Sequence, residues 1–287
     1  MQKGKLKKKV RPPVTQKSQP GLEFKMDPRP EFTGVKMVKR LFNKTALITG
    51  GDSGIGRAVA VAFAREGCNV VIIYLNEHKD ADRTKFEIEK YGQKCILIPG
   101  DIRNEKFCRT SVNMVFRKFN RLDILVNNAA VQFPQASIEN ISVKQLHQTF
   151  ETNIFSYFYF TKASLKYMKE GSVVINTTSV TAYRGSPELI DYSSTKGAIV
   201  SFTRSLSASL TEKGIRVNAV APGPVWTPLI PSTFESKKVS TFGTDVPMGK
   251  AAQPEDIAPC FVFLASDESK FISGQVLHPN GGEIVNG

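Results

Sequence analysis

A glycine-rich turn between an apolar run and an amphipathic helical pattern constrains the fold of this chain most. The apolar run covers residues 44–49, the helical pattern covers 54–66, and a second, β-branched run covers 69–75. Their periodicity and composition predict a strand, a helix and a strand in that order. Such a unit sets its two strands parallel, with the helix crossing over one face of the sheet.

The glycines of this turn have the spacing G-x-x-x-G-x-G, at Gly50, Gly54 and Gly56. Glycine lets the backbone turn tightly and approach a bound group closely, and the following helix N-terminus offers free N–H groups with positive partial charge. The turn therefore favours a dinucleotide pyrophosphate, although an ordinary surface loop is the alternative. The residues predicted to contact the dinucleotide here are Gly50, Asp52, Ser53, Gly54, Ile55 and Gly56.

The alternation of strand and helix patterns continues to the end of the chain. Further strand-like runs lie at 95–98, 123–126, 172–176, 216–220 and 275–278. Helical patterns lie at 79–91, 103–119, 142–168, 187–212 and 254–266. This order predicts the α/β class: a single doubly wound Rossmann-type domain over 41–287, with a seven-stranded, mostly parallel sheet and helices on both faces.

The formal net charge of +13 is concentrated at the beginning of the chain. Residues 1–40 hold 12 of the 39 Lys and Arg residues but only 3 of the 26 Asp and Glu residues. We expect residues 1–20 to be a disordered, solvated basic tail, because they have too few apolar groups to offset the entropy of ordering. Contact with RNA, DNA or anionic lipid is the less favoured alternative. Residues 21–40 predict an extended arm.

Composition also bounds the cellular setting. No apolar stretch approaches the roughly 18 residues that span a bilayer, and an apolar secretory core is missing near residue 1. The four cysteines are scattered, without a CxxC pair, so neither a zinc site nor a disulfide framework is predicted. We expect a cytoplasmic protein that uses no metal and inserts into no membrane.

Polar and small residues follow two further strands. Asp101 and Ile102 come after the third strand, and Asn128, Ala129 and Ala130 come after the fourth. Because ligands of such sheets bind at the carboxyl ends of the strands, these residues are candidates for the adenosine contact. An aspartate there could accept a hydrogen bond from an adenine amine, and small residues leave room for a ribose. Each residue is also a common turn former.

A tyrosine and a lysine four residues apart are the candidate catalytic pair. On a helix, Tyr192 and Lys196 share one face. A phenol with a pKa near 10 is a poor acid at neutral pH unless a nearby cation stabilises its anion. Ser179 follows the fifth strand and is placed to hydrogen-bond a substrate oxygen, with Thr178 as the competing candidate. The alternative for the pair is an exposed tyrosine packed over a lysine stem.

Together these residues resemble the short-chain dehydrogenase/reductase family over 41–287. The resemblance implies that Ser179 orients a carbonyl, that Tyr192 donates or accepts the proton, and that Lys196 lowers the tyrosine pKa and holds the nicotinamide ribose. It also implies that Asn153 supports a water relay behind the lysine. Residues 218–223, which include Pro222 and Gly223, match the family segment after the sixth strand, and the resemblance implies that Val225 and Thr227 meet the nicotinamide carboxamide.

Within this family the chain is similar to the bacterial general-stress and glucose/ribitol dehydrogenase-like group. The resemblance implies an NAD(P)-dependent oxidoreductase that interconverts a carbonyl and an alcohol on a small aldehyde, sugar or polyol. It also implies a homotetramer, to which the apolar run 155–160 would contribute if it is not simply a broad core contact. A weakly catalytic, nucleotide-binding stress protein that acts through partner contacts is the rival hypothesis.

The second strand carries an unusual signal for the choice of cofactor. The residue that reads the ribose 2′ position is normally acidic for NAD or basic for NADP, and here Tyr74, Leu75 and Asn76 are neither. Asp52 would repel a 2′-phosphate, so the chain leans slightly to NAD. His78 and Lys79 could reverse this preference.

Substrate specificity is expected in the segments 180–191 and 222–250. The second segment contains Trp226 with other aromatic residues and predicts a lid over the nicotinamide, or else an ordinary surface loop. Tyr183 could hydrogen-bond a polyol or merely face water. The candidate substrate residues are therefore Ser179, Tyr183, Tyr192 and Trp226.

Overall fold

The computed structural model describes residues 39–285. The predicted basic tail, 1–20, and the predicted arm up to residue 38 lie outside these residues. Within them, seven strands form one sheet in the order β3-β2-β1-β4-β5-β6-β7, and every neighbouring pair is parallel. The predicted doubly wound α/β fold is confirmed, and the sheet is wholly rather than mostly parallel.

The strands and helices alternate as the sequence predicts. The strands are β1 (Thr45–Thr49), β2 (Asn69–Tyr74), β3 (Cys95–Pro99), β4 (Ile124–Asn127), β5 (Val173–Thr177), β6 (Arg216–Val220) and β7 (Val276–Leu277). The helices are α1 (Gly54–Arg65), α2 (His78–Glu89), α3 (Glu105–Phe119), α4 (Val143–Phe150), α5 (Ser156–Ser164), α6 (Thr181–Arg184), α7 (Ile190–Leu210), α8 (Leu229–Thr233), α9 (Ser236–Ser240) and α10 (Pro254–Ala265).

Both faces of the sheet are buried because successive strand residues point to opposite sides. In β1, Ala46 and Ile48 belong to the core that includes Phe63 of α1 and Phe261 of α10. Leu47, between them, belongs to the core formed with α3, α5 and α7. This two-sided burial explains why the strands are continuous apolar runs rather than alternating ones.

Two predicted helices have different bounds in the structure. The predicted helix 142–168 is divided by a π-helical segment, Glu151–Phe155, in which the Ser156 N–H bonds the Glu151 carbonyl five residues back. The predicted helix 187–212 begins only at Ile190 and is preceded by the separate short helix α6. Both differences lie close to the candidate catalytic residues.

The strand order reverses between β1 and β4, and this point locates the site. A crevice opens there at the carboxyl ends of the strands, where open α/β sheets bind ligands. No helix among residues 39–285 is long and apolar enough to cross a membrane. The four cysteines all lie within the described residues, and all have free thiols.

Candidate active site

The glycine-rich turn connects β1 to α1 and needs its glycines for two different reasons. Gly50 and Gly54 have φ of +63° and +51°, a left-handed conformation that other residues rarely adopt. At Gly56 the reason is space, since a Cβ atom would lie 1.9 Å from the Gly50 carbonyl oxygen. The turn therefore closes on itself so tightly that only a hydrogen atom fits at position 56.

The beginning of α1 is suited to an anion. Among the described residues, no side chain caps this helix through a hydrogen bond, and its first turn contains no acidic residue. Its first N–H groups therefore remain available, and the helix dipole adds positive partial charge. A pyrophosphate is the group that this arrangement fits.

Asn128 joins the glycine turn to the end of β4. Its side-chain nitrogen donates to the carbonyl oxygens of Thr49, at 3.1 Å, and Gly50, at 3.2 Å. Its backbone N–H donates to the Thr49 hydroxyl at 2.9 Å, and its side-chain oxygen accepts from Thr177. These bonds fix three neighbouring strand ends relative to one another.

One cavity of about 1030 Å³ runs along these strand ends from β2 to α9. Most of the residues predicted from the sequence line it: Gly50, Asp52, Ser53, Gly54, Ile55, Tyr74, Leu75, Asp101, Ile102, Asn128, Ala129, Ala130, Ser179, Tyr192, Lys196, Pro222, Gly223, Val225 and Thr227. Five predicted residues do not line it: Gly56, Asn76, Asn153, Tyr183 and Trp226. The glycine turn and the candidate catalytic pair therefore share one cavity.

Tyr192 and Lys196 lie one turn apart on α7, as the sequence predicts. The Lys196 ammonium nitrogen is 5.3 Å from the centroid of the Tyr192 ring and donates to the Thr177 carbonyl at 2.9 Å. Lys196 is 1 % exposed and Tyr192 is 9 % exposed. A lysine is almost never buried so completely unless its ammonium has a partner, here the Thr177 carbonyl.

Burial dominates the proton affinities of this pair. It raises the pKa of Tyr192 to about 12, against a smaller lowering by the hydrogen bond with Ser179. It also lowers the pKa of Lys196 to about 7. Removal from water disfavours both charged forms, and the expectation that Lys196 opposes this shift for Tyr192 stays a prediction. Tyr192 therefore keeps its proton throughout the physiological range.

This burial makes a prediction about stability. Below about pH 7 Lys196 is charged in both the folded and the unfolded chain, so folding must desolvate an ammonium group. Between pH 7 and 10.5 only the unfolded chain holds that proton, and the penalty shrinks as the pH rises. We therefore expect Lys196→Met to raise the melting temperature at pH 6, with a gain that declines steadily towards pH 10. A gain that grows with pH in thermal unfolding would contradict the assignment.

The two candidate hydroxyl groups after β5 have different roles. Thr178 donates its hydroxyl hydrogen to the Lys196 carbonyl at 2.7 Å, so it holds α7 in place. Ser179 accepts from the backbone N–H of Thr181 at 3.2 Å and forms a hydrogen bond with Tyr192. Ser179 is therefore the hydroxyl that remains directed at the cavity beside the phenol.

Asn153 lies behind the pair rather than in the cavity. It is fully buried in the π-helical segment, and its side chain bonds both backbone groups of Val131, at 2.8 and 2.9 Å. Its amide nitrogen also lies 3.2 Å from the Thr195 hydroxyl of α7. The π-helical turn thus brings Asn153 to the loop after β4. In a regular α-helix the Asn153 side chain would be rotated about the helix axis by about 100°.

At the end of the cavity next to β2, several side chains are already bonded to neighbouring side chains. The Tyr74 hydroxyl lies 2.9 Å from Nδ1 of His78, and Leu75 is exposed. The Asp101 carboxylate accepts two bonds from Nε of Arg103, at 2.9 and 3.0 Å. This ion pair holds the pKa of Asp101 below its ordinary value. An adenine amine would thus meet a carboxylate that Arg103 already fixes.

Two predicted substrate residues lie elsewhere. Trp226 lines a separate hollow between α1 and α10 and is 44 % exposed. The Tyr183 ring packs against His278, with centroids 4.7 Å apart, and its hydroxyl is buried without a hydrogen-bond partner among the described residues. Each has an adjacent residue in the chain that lines the cavity, but its own side chain lies outside it.

Other residues that the sequence did not single out line the end of the cavity near α8 and α9. They include Gln132, whose side chain donates to Thr233 of α8 at 3.3 Å. Glu188 forms an ion pair with Lys238 of α9, and this pair links the two segments expected to set specificity. The sequence does not show which charged residues in such loops line a cavity, because most charged loop residues are simply solvated.

The comparisons with known proteins agree with this geometry. Residues 50–283 match the family model described as enoyl-(acyl carrier protein) reductase. The chain is 60% identical over 281 residues to the uncharacterized oxidoreductase YhxC of Bacillus subtilis, with 98% of this chain and 99% of the relative covered. It is 53% identical to General stress protein 39 of the same organism, with 96% of each covered.

A plant relative and a solved structure extend the comparison. Glucose and ribitol dehydrogenase of Daucus carota is 50% identical over 284 residues, with 96% of this chain and 98% of the relative covered. A short-chain dehydrogenase from Burkholderia cenocepacia, solved in complex with NADP, superposes with a TM-score of 0.79 at 29% identity. The superposition covers 85% of this chain and 98% of that one. The chain therefore belongs to the short-chain dehydrogenase/reductase family and is an NAD(P)-dependent oxidoreductase.

Proposed function

We propose that this protein interconverts a carbonyl and an alcohol on a small aldehyde, sugar or polyol. The observation that carries the proposal is that Ser179, Tyr192 and Lys196 line the same cavity as the glycine turn. A proton donor, an orienting hydroxyl and a cation thus lie beside the place that fits a dinucleotide. Proton transfer by a positioned side chain is worth typically 10²–10⁴ in rate.

The side chains divide the work as follows. Ser179 donates a hydrogen bond to the substrate oxygen and orients the carbonyl. Tyr192 gives its proton to that oxygen during reduction and takes it back during oxidation, and Lys196 stabilises the phenolate when it carries its own proton. The bound nicotinamide supplies or accepts the hydride. Asn153 would hold a water behind Lys196.

The residues that would hold the cofactor follow from the cavity. The N–H groups at the start of α1 would bind the pyrophosphate, and the close approach at Gly56 keeps that turn compact. Asp101 and Ile102 would meet the adenine, and Ala129 and Ala130 the adenosine ribose. Pro222, Gly223, Val225 and Thr227 would meet the nicotinamide carboxamide.

Polar groups at the substrate end support a hydroxylated substrate. Gln132, Glu188 and Thr241 line the cavity near α8 and α9. Their donors and acceptors, beside the apolar side chains of Leu229, Ile230 and Phe234, suit a small substrate that carries hydroxyl groups. The carrot relative is named for glucose and ribitol, which agrees with this class. The segment 222–250, with α8 and α9, would act as the lid.

The proposed preference for NAD over NADP rests on three carboxylates. Asp52, Glu77 and Asp80 line the cavity beside β2. Burial raises the pKa of Asp52, and the charges of the other two raise it further. Arg57, the nearby cation, is bound to Asp80 at 2.8 Å. A 2′-phosphate would therefore meet acidic groups and an arginine that is already paired.

We expect the wild-type protein to bind NADH at least about tenfold more tightly than NADPH, because each carboxylate near the 2′ position repels a phosphate. Asp80→Asn removes one negative charge and the ion pair that neutralises Arg57, so it should narrow the preference for NADH over NADPH by about tenfold. Glu89→Gln, at the far end of α2, is the matched control. Fluorescence titration with both cofactors measures the ratio of the two dissociation constants. Equal or tighter binding of NADPH by the wild type would refute the preference for NAD.

We also propose an oligomeric state and a cellular location for this protein. Val143, Phe155 and Phe158, on α4, the π-helical segment and α5, are 72, 41 and 52 % exposed. Burial of these side chains by a second subunit would support a homotetramer. Free thiols at all four cysteines suit a reducing cytoplasm.

The rival hypothesis, a weakly catalytic stress protein that acts through partner contacts, makes the opposite prediction for turnover. A panel of aldehydes, sugars and polyols assayed with NADH and NADPH, or with their oxidised forms, distinguishes the two. We expect saturable turnover of at least one panel member. Cofactor binding without turnover across the panel would favour the rival.

A further inference from the structure

The proposed proton donor lies at the weakest part of its helix. Tyr192 belongs to the first turn of α7, where backbone N–H groups have no acceptor within the helix. The first bond of this turn runs from the Ser193 N–H to the Leu189 carbonyl, at 2.8 Å. A helix start of this kind frays unless side chains hold it, and fraying here would move the phenol.

The neighbouring residue, Asp191, supplies the missing acceptor. Its Oδ1 accepts from the Tyr192 backbone N–H at 2.8 Å. Its Oδ2 accepts from the Thr149 hydroxyl at 2.8 Å and from Nε2 of Gln145 at 3.0 Å, both on α4. One carboxylate thus bonds the backbone of the catalytic tyrosine on one side and a second helix on the other.

The contacts continue from α4 to the loops around the cavity. Nε2 of Gln145 also donates to the Phe133 carbonyl at 3.1 Å, and its Oε1 accepts from the Gln135 side chain at 2.6 Å. The Gln135 backbone N–H donates to the Glu188 carbonyl at 2.9 Å. The group formed by Asp191, Thr149, Gln145 and Gln135 is called the polar clamp below. It ties the loop after β4 and the loop before α7 to the first turn of α7.

Energetics argue that this carboxylate is not there for stability alone. Asp191 is 2 % exposed, and none of the ion pairs formed by residues 39–285 includes it. Burial of a carboxylate without a cation is costly, although three hydrogen bonds and the positive end of α7 offset part of the cost. Asp191 and Thr149 are buried and the two glutamines are half-buried, and a hydrogen-bonded network of this type holds its members in one arrangement.

We propose that Asp191 is a positioning residue that fixes Tyr192 for proton transfer through the polar clamp. The inference rests on the proposed function, in which Tyr192 is the proton donor. It assigns no chemistry to Asp191 itself. Tyr192 must lie within hydrogen-bond reach of the substrate oxygen, and a displacement of about 1 Å costs on the order of 10²-fold in rate. Binding of the cofactor pyrophosphate, at the distant start of α1, does not depend on the clamp.

The test uses the full-length protein and two substitutions of graded severity. Asp191→Asn cannot accept all three bonds. Thr149→Val removes the bond from the Thr149 hydroxyl to Asp191 and its contact with the Gln145 carbonyl, with little change of shape. We expect kcat to fall about 10–100-fold for Asp191→Asn and several-fold for Thr149→Val, with the cofactor Kd within about twofold of wild type. Ser194→Ala, in the same helical turn but outside the clamp, should leave kcat unchanged.

Hydrogen–deuterium exchange of the peptide spanning 189–195 provides a readout besides activity, and it should be faster in Asp191→Asn than in Ser194→Ala. A folded Asp191→Asn protein with wild-type kcat and wild-type exchange would overturn the proposal. If Asp191→Asn does not fold, Thr149→Val decides by the same two measurements. A wild-type protein without turnover would instead remove the proposed function, and exchange alone would then decide whether Asp191 holds the helix start.

Discussion

Replacement of Tyr192 by phenylalanine is expected to lower kcat by about 10²–10⁴-fold while dinucleotide affinity stays within about twofold of wild type. The substitution removes only the phenolic oxygen, so the ring continues to pack beside Lys196. Without that oxygen the proposed proton donor beside Ser179 is missing from the cavity. Steady-state kinetics with the best substrate of the panel, together with cofactor titration by fluorescence, measure both quantities.

A matched control separates this effect from the loss of any hydrogen-bonded tyrosine hydroxyl. The Tyr167 hydroxyl donates to Asn113 at 2.7 Å and lies outside the residues that line the cavity. Tyr167→Phe should therefore retain wild-type kcat. A Tyr192→Phe protein that keeps more than about a tenth of the wild-type kcat would show that another group donates the proton.

Substitution of Gly56 by alanine is expected to weaken dinucleotide binding by at least about 100-fold. The added Cβ atom would lie 1.9 Å from the Gly50 carbonyl oxygen and 2.8 Å from the Asn128 side-chain nitrogen. Neither neighbour can move without opening the glycine turn, because Asn128 also holds Thr49 and Thr177. The turn would widen and the N–H groups at the start of α1 would lose their alignment.

The control for Gly56 is another helical glycine with open space around it. A Cβ atom at Gly197 of α7 would meet nothing within 4 Å. Gly197→Ala should bind the cofactor normally and gain roughly 0.5–1 kcal/mol of stability from the better helix propensity. Circular dichroism establishes that each variant is folded before titration. Tight cofactor binding by folded Gly56→Ala would contradict the role assigned to the turn.

Much of the fold and the site could be predicted because the signals are local. The glycine spacing and the i, i+4 relation of Tyr192 and Lys196 each lie within eight residues, and the structure brings both to one cavity. The strand runs are continuous and apolar because both faces of the sheet are covered, which makes them easy to recognise.

The features that escaped prediction depend on distant partners. In the sequence, Asp191 is only an acidic residue in the first turn of a helix. Its role as a hydrogen-bond acceptor depends on Thr149 and Gln145, which lie 42 and 46 positions away. The π-helical turn depends likewise on Asn153 reaching Val131. The burial that raises the pKa of Tyr192 could not be predicted either, because it follows from tertiary packing and the spacing to Lys196 carries no information about it.

Transfer of deuterium from reduced cofactor labelled at nicotinamide C4 tests the central claim most directly. With NADH or NADPH labelled on either face of that carbon and a carbonyl substrate from the panel, mass spectrometry of the alcohol product reports where the label goes. The account predicts one deuterium on the new carbinol carbon from one labelled face, and loss of that product in Tyr192→Phe. An alcohol product free of deuterium from both labelled faces would contradict direct hydride transfer in this cavity.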